Sequence, residues 1–180
     1  MAKTYRWGIL GTGKIAHKLA QDLKLVPEAQ LVAVGSRSQA SADEFGAQYD
    51  IPNRHATYEG LANDPEVDVI YIATPHGLHH QNSLLCLNAG KHVLCEKAFT
   101  INAQEAQEVI ALARQKKLFI MDAIWTRFMP SMYEVRRILH EGLIGEVQFV
   151  NATFGFKPPY EPEARLFNPE LGGGTLLDIG

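Results

Sequence analysis

Glu96 and Lys97 follow directly on the apolar run His92-Val93-Leu94-Cys95, and a lysine held where a strand ends is a group that can move a proton. Desolvation or a neighbouring cation tunes such an amine for that work. Adjacent strand residues point to opposite faces, which argues against a simple surface ion pair and leaves Glu96 to orient Lys97. A second group with chemistry in its spacing lies near the amino terminus. There Tyr5-Arg6-Trp7-Gly8-Ile9-Leu10 runs into Gly11-Thr12-Gly13-Lys14-Ile15-Ala16, a GxGxxA turn between an apolar run and a helical pattern. Gly11 permits the tight turn, Gly13 lets backbone approach a pyrophosphate, and Ala16 allows close helix packing. The helix that follows aims free N–H groups at the phosphates, with Thr12, Lys14 and Ile15 in its first turn.

Three further clusters follow apolar runs. Gly35-Ser36-Arg37-Ser38 stands where an NAD-selective site places an acid for the ribose hydroxyl, and no acid is present. Arg37 can instead pair with a 2′-phosphate, flanked by Ser36 and Ser38; the alternative is a solvated loop arginine beside a helix-capping serine. The expected cofactor is therefore NADP rather than NAD. Thr74-Pro75-His76-Gly77-Leu78-His79-His80 has three histidines but no clear acid or thiol partner, so no metal is expected. Thr74 and His76 are read as lining the cofactor groove; His79, counted with them, also caps or hydrogen-bonds locally. In Trp125-Thr126-Arg127-Phe128-Met129, Trp125 and Arg127 can stack on and orient a substrate. Phe128 and Met129 fit interdomain packing equally well. Phe154 and Phe156, two apart and so on one strand face, are expected to close the same pocket from the other side.

These residues need a frame that brings strand ends together. Hydrophobic periodicity predicts strands over 5–10, 31–34, 67–73, 92–95 and 118–123, with a short link near 54–56. It predicts helices over 14–25, 38–49, 58–63, 77–88, 103–116 and 131–140. Six β units joined by helices imply a parallel, doubly wound α/β sheet of Rossmann type, whose ligands sit at the carboxyl ends of the strands. After Gly145 the rhythm changes. Residues 146–156 read as a longer aromatic strand that opens a second, α+β domain with an open, mainly antiparallel sheet, giving a division at 1–124 and 125–180. Gly172-Gly173-Gly174-Thr175-Leu176-Leu177-Asp178-Ile179-Gly180 resembles a helix entry, and the second domain is expected to be cut short there.

Composition narrows the partners. The 180 residues are 46% hydrophobic and 21% charged, with a formal charge of −3, as in an ordinary globular protein. Nothing here offers a basic field for nucleic acid or a cationic face for a membrane, so a small molecule is the expected partner. With no apolar leader in Met1-Ala2-Lys3-Thr4 the chain is expected to be cytoplasmic. Cys86 and Cys95 are expected to be buried, reduced thiols.

Taken together, Gly11 to Ala16, Thr74 to His79, Glu96-Lys97-Ala98 and Gly172 to Gly180 resemble the Gfo/Idh/MocA oxidoreductases. Asp122-Ala123-Ile124-Trp125-Thr126-Arg127-Phe128 is closest to the branch of dimeric dihydrodiol dehydrogenases, which includes NADP-dependent sugar dehydrogenases. The resemblance covers the whole chain. It implies a Rossmann domain, a substrate domain that often mediates dimers, and hence a homodimer for a full-length chain. It implies hydride transfer between a nicotinamide and a sugar, polyol or cyclic diol, with Lys97 catalytic and Asp178 near the reacting carbon. The family's Glu-Lys-Pro motif reads Glu96-Lys97-Ala98 here, which removes a backbone restraint without removing the amine. The family also places a His or Tyr shortly after the Asp-x-Gly motif as general acid or base, beyond Gly180. The alternative expectation is accordingly a non-catalytic NADP-binding regulatory module, or an inactive fragment without that acid.

Overall fold

A computed structural model describes residues 3–179; Met1, Ala2 and Gly180 of the runs named above lie outside the described residues. The strands are β1 (Tyr5–Leu10), β2 (Ala29–Gly35), β3 (Asn53–His55), β4 (Val69–Ile72), β5 (His92–Cys95) and β6 (Ile120–Asp122). They form one parallel sheet in the order β3-β2-β1-β4-β5-β6. The segment near 54–56 is thus part of a strand. It has no apolar pattern to announce it and is drawn in by backbone pairing of Asn53, Arg54 and His55 with Ala33, Val34 and Gly35. Helices connect the strands: α1 (Lys14–Leu23), α2 (Gln39–Tyr49), α3 (Tyr58–Ala62), α4 (His79–Asn88) and α5 (Ala103–Lys116); α6 (Pro130–His140) and α7 (Thr175–Ile179) follow the last strand.

Side chains alternate between two cores, as a sheet covered on both faces requires. Ile9, Val34, Tyr71 and Ala73 pack under α1 and α2 with Ala16, Ala20, Phe45 and Tyr49. Leu10, Ile70, Ile72, Val93 and Cys95 pack on the opposite face with Leu61, Cys86, Leu87 and Val109. Each large side chain removed from water contributes about 1.5–3 kcal/mol toward the entropy lost on folding. Cys86 and Cys95 are free and buried, and burial pushes the Cys95 thiol up to about 12. Among the described residues no helix is long and apolar enough to cross a membrane.

The expected strand over 146–156 is not formed. Residues 147–161 carry no regular structure, and Phe149 and Phe154 stand 82% and 72% exposed. A strand exists only through a partner, and among the described residues none is offered beyond the three-residue β6. The alternation was real in the sequence, but alternation alone supplies no ladder.

Candidate active site

The order of the strands reverses between β1 and β4, which places a crevice between their carboxyl ends. Gly11 closes this turn with φ +98°, a conformation costly for other residues, and donates its N–H to the Gly35 carbonyl at 2.8 Å. A Cβ there would also sit 3.1 Å from the Ala73 carbonyl oxygen. Gly13 is different. It is exposed, and a Cβ on it would meet only the Ala73 oxygen, in ordinary contact at 3.9 Å. The fold does not need a glycine there, so open space over α1's N-terminus is what its absent side chain provides. Lys14 and Ile15 are exposed in the first turn, Thr12 is half-buried, and the Thr12 and Ser36 hydroxyls lie 3.5 Å apart across the crevice.

At the end of β2 the side chains divide. Arg37 is exposed, close enough to Tyr58 for its charge to oppose the upward push that burial gives the phenol. Ser38 caps α2, accepting from the Ser41 N–H at 3.3 Å and donating to the Ser41 hydroxyl at 3.0 Å. Its hydroxyl is thus engaged locally. At the end of β4, His79 hydrogen-bonds locally, as expected, but it does not line the groove. It is 0% exposed and has no surface for a cofactor. Carbonyl oxygens of Ala98 and Thr74 flank its two ring nitrogens at 2.7 and 2.8 Å, so it ties the turn after β4 to the turn after β5. The Thr74 hydroxyl accepts from Asn82 at 3.1 Å.

Around Lys97 the structure gathers residues from distant parts of the chain. The Lys97 ammonium donates to Asp178 Oδ1 at 3.2 Å and to the Asp178 carbonyl oxygen. Arg165 donates to the same Oδ1 at 3.1 Å. Burial alone would raise the Asp178 carboxyl, but the hydrogen bonds from Arg165 and Lys97 outweigh it and hold the group below the usual carboxylate range. Glu96 accepts the Tyr71 hydroxyl proton bond on one oxygen and the Lys97 backbone N–H at 3.2 Å on the other. Burial, then that carboxylate, pushes the Tyr71 phenol far above its ordinary value, so it stays a donor. Glu96 therefore anchors the lysine's backbone. The peptide bond between Lys97 and Ala98 is cis.

Two cavities flank this centre. The larger, about 460 Å³, is apolar; Tyr71, Leu94, Met121 and Ala123 form its floor, and Ile15, Trp125 and Phe128 part of its wall. Glu96 reaches its edge. The smaller, about 250 Å³, is bounded by Phe156, Leu166, Phe167, Thr175 and Asp178. Trp125 and Phe156 thus belong to different cavities, contrary to the expected single pocket. Phe154 meets Phe156 edge to face at 6.3 Å but lines neither cavity, and Arg127 is exposed and lines neither. The position of the phenylalanines follows from the missing strand, which was expected to carry them across. Among the described residues no group of three or more His, Cys, Asp or Glu is placed to hold a metal ion.

No motif in the sequence marks Arg165 as a site residue. It lies in a loop rich in proline and acid, without periodicity, and its partners stand 89 and 13 residues away. Only the adjacent glycine run hinted that this loop packs closely on something.

Comparison with known proteins places this geometry. Residues 5–123 match a family model described as "Oxidoreductase family, NAD-binding Rossmann fold", and residues 132–180 match the GFO/IDH/MocA C-terminal domain. The trans-1,2-dihydrobenzene-1,2-diol dehydrogenase of Mus musculus is 45% identical over 177 residues, covering 97% of this chain and 53% of that protein. The Homo sapiens protein of the same name is 44% identical, covering 97% of this chain and 52% of its own length. The chain spans about half the length of these relatives. Among solved structures, KijD10, a 3-ketoreductase from Actinomadura kijaniata in complex with NADP, superposes with a TM-score of 0.74 at 30% identity, covering 80% of this chain and 46% of that one. An NAD binding oxidoreductase from Klebsiella pneumoniae gives 0.75 at 30% identity, covering 79% and 40%.

Proposed function

We propose, since this chain belongs to the Gfo/Idh/MocA oxidoreductases, that it carries the nucleotide site and the proton-moving lysine of an NADP-dependent dehydrogenase of sugars, polyols or cyclic diols. The observation that carries the reading is the contact of Lys97 with Asp178, which joins the end of β5 to α7 beside the crevice. Gly11, Thr12, Gly13, Lys14 and Ile15 would hold the pyrophosphate, and Ser36 and Arg37 the ribose phosphate, a guanidinium being suited to that group. Thr74 and His76 would border the nicotinamide end. When bound, NADP takes up or gives the hydride.

The chain's own residues do the rest. Lys97 holds the hydroxyl proton that leaves or returns as the carbon changes oxidation state. Asp178 keeps the amine in place from in front, and Glu96 fixes its backbone from behind. The small cavity beside Asp178 combines Phe156, Leu166 and Phe167 with the polar Thr175 and Asp178, which suits a ring that carries hydroxyl groups. The names of the relatives favour a trans-dihydrodiol among the candidate substrates.

Lys97→Met removes the amine while keeping the stem. It is expected to abolish NADP-dependent oxidation of dihydrodiols and pentoses and to leave NADPH affinity within about twofold, read by turnover and by fluorescence titration. Turnover undiminished in K97M refutes the role of Lys97. Tighter binding of NADH than NADPH refutes that of Arg37. A chain that binds NADPH yet turns over neither substrate class is instead the binding module.

A further inference from the structure

His76 is buried, yet both of its ring nitrogens are engaged. The Gly172 carbonyl oxygen lies 3.1 Å from Nδ1, and Arg165 NH1 lies 3.2 Å from Nε2. A guanidinium is always protonated and can only donate. Nε2 must therefore present its lone pair to Arg165, and the ring proton resides on Nδ1, from which it is donated to Gly172. The same NH1 also donates to Asp178 Oδ1 at 3.1 Å. One nitrogen with two hydrogens thus serves both partners, and Asp178 Oδ1 in turn receives Lys97.

We propose that Arg165 is a positioning residue for the Lys97 site. Its NH1 bridges His76 and Asp178, fixing the neutral Nδ1–H tautomer of one and the ionised state of the other. The inference rests on the dehydrogenase reading for its catalytic consequence, though not for its geometry. Two cations face a single carboxylate here. When Lys97 passes its proton on, Arg165 remains as the permanent counter-charge, so the half-buried Asp178 is never left unpaired. Without Arg165 that carboxylate has only the lysine, and every proton transfer would break its one ion pair.

The arrangement also accounts for the state of His76. Burial foremost, then the charges of Arg165, of the neighbouring His79 and of Lys97, disfavour a second proton on the ring; the Gly172 carbonyl works the other way. Asp178 reaches His76 only through Arg165. Removing the guanidinium removes the largest charge that opposes the imidazolium and frees Nε2 to take a proton.

The test uses the whole chain with ¹⁵N-labelled histidine and R165M, R165Q and R165K. In the wild type the ring shifts of His76 should report Nδ1–H and a bare Nε2 at pH 7. In R165M the His76 midpoint should rise by about one pH unit, while R165K, which keeps the cation, should stay near wild type. Under the dehydrogenase reading, kcat for the oxidation in R165M should fall about 10- to 100-fold with KM for NADP within about twofold. An Nε2–H tautomer in the wild type, or an unmoved His76 midpoint in R165M, overturns the proposal. If R165M does not fold, R165Q is read by the same criteria. A wild type without turnover sinks the dehydrogenase reading alone, because the His76 titration is still measurable.

Discussion

Asp68 and Arg6 pin the two strands that frame the crevice, and replacing Asp68 with asparagine should cost the fold a definite, pH-dependent amount. Arg6 donates Nε and NH2 to the two carboxylate oxygens at 3.2 and 2.9 Å, and its backbone N–H adds a third bond at 2.9 Å. Asp68 returns its own N–H to the Arg6 carbonyl at 2.8 Å. These bonds, with the side-chain bond from Arg6 leading, hold the Asp68 carboxyl down at about 2 against an ordinary 3.8. That gap corresponds to roughly 2.4 kcal/mol of preference for the folded state. The carboxylate is 25% exposed and the guanidinium 40%, so solvent screening trims the expected contribution to about 1–2 kcal/mol. The folded value is the lower one, so the contribution is complete above pH 3.8 and disappears as pH falls toward 2. In thermal melts at pH 7, Asp68→Asn should unfold about 5 °C below wild type, and the two should converge by about pH 2. NADPH affinity should not change, because Asp68 stands at the amino end of β4, away from Gly11. A variant as stable as wild type at pH 7, or a gap that survives below pH 2, refutes the reasoning.

Asp122→Asn should act in the opposite sense. Oδ1 of Asp122 is buried without a partner, and its carboxyl is pushed up by burial first and by Glu96 next, so its charge costs stability as pH rises from the ordinary carboxylate range through the raised value. D122N should be about 1 kcal/mol more stable in urea at pH 7 and equal to wild type in acid below that range; a less stable D122N at pH 7 contradicts this. Gly35→Ala would set a Cβ 2.7 Å from that of Leu61, an overpacking expected to cost about 1–3 kcal/mol in a melt. Because the Gly35 carbonyl receives the Gly11 N–H, NADPH binding should weaken in the same variant, and unaltered affinity would disconnect the two turns.

The sheet was legible because its central strands are buried on both faces and so read as apolar runs between turn residues, as in Val67 to Ala73. β3 was not, since Asn53-Arg54-His55 has no apolar signature and is held only by its backbone bonds to β2. The turn after β1 was legible for the reason that makes it work: at Gly11 the backbone itself dictates the residue. His79 misled. A histidine in a loop beside a cofactor crevice and one locked beneath it have the same sequence neighbours, and burial alone separates them.

The site around Lys97 was half legible for a related cause. Lys97 and Asp178 stand out by type and context, whereas Arg165 acquires meaning only from where residues 165–178 come to rest. That resting place is set by glycine. Gly172 adopts φ +73°, and a Cβ on it would lie 2.7 Å from the Cβ of His76. A Cβ on Gly173 would lie 2.6 Å from the Arg165 carbonyl oxygen and 2.7 Å from that of Asn168. The run that reads as a helix entry thus also serves as a contact surface, flat enough to seat on the His76 turn and folded tightly enough to turn Arg165 back toward it. Any side chain at Gly172 would lift this segment from His76 and withdraw Arg165 and Asp178 together. The glycines, the arginine and the aspartate form one device, in which backbone closeness at Gly172 is the condition for the charge arrangement at Lys97.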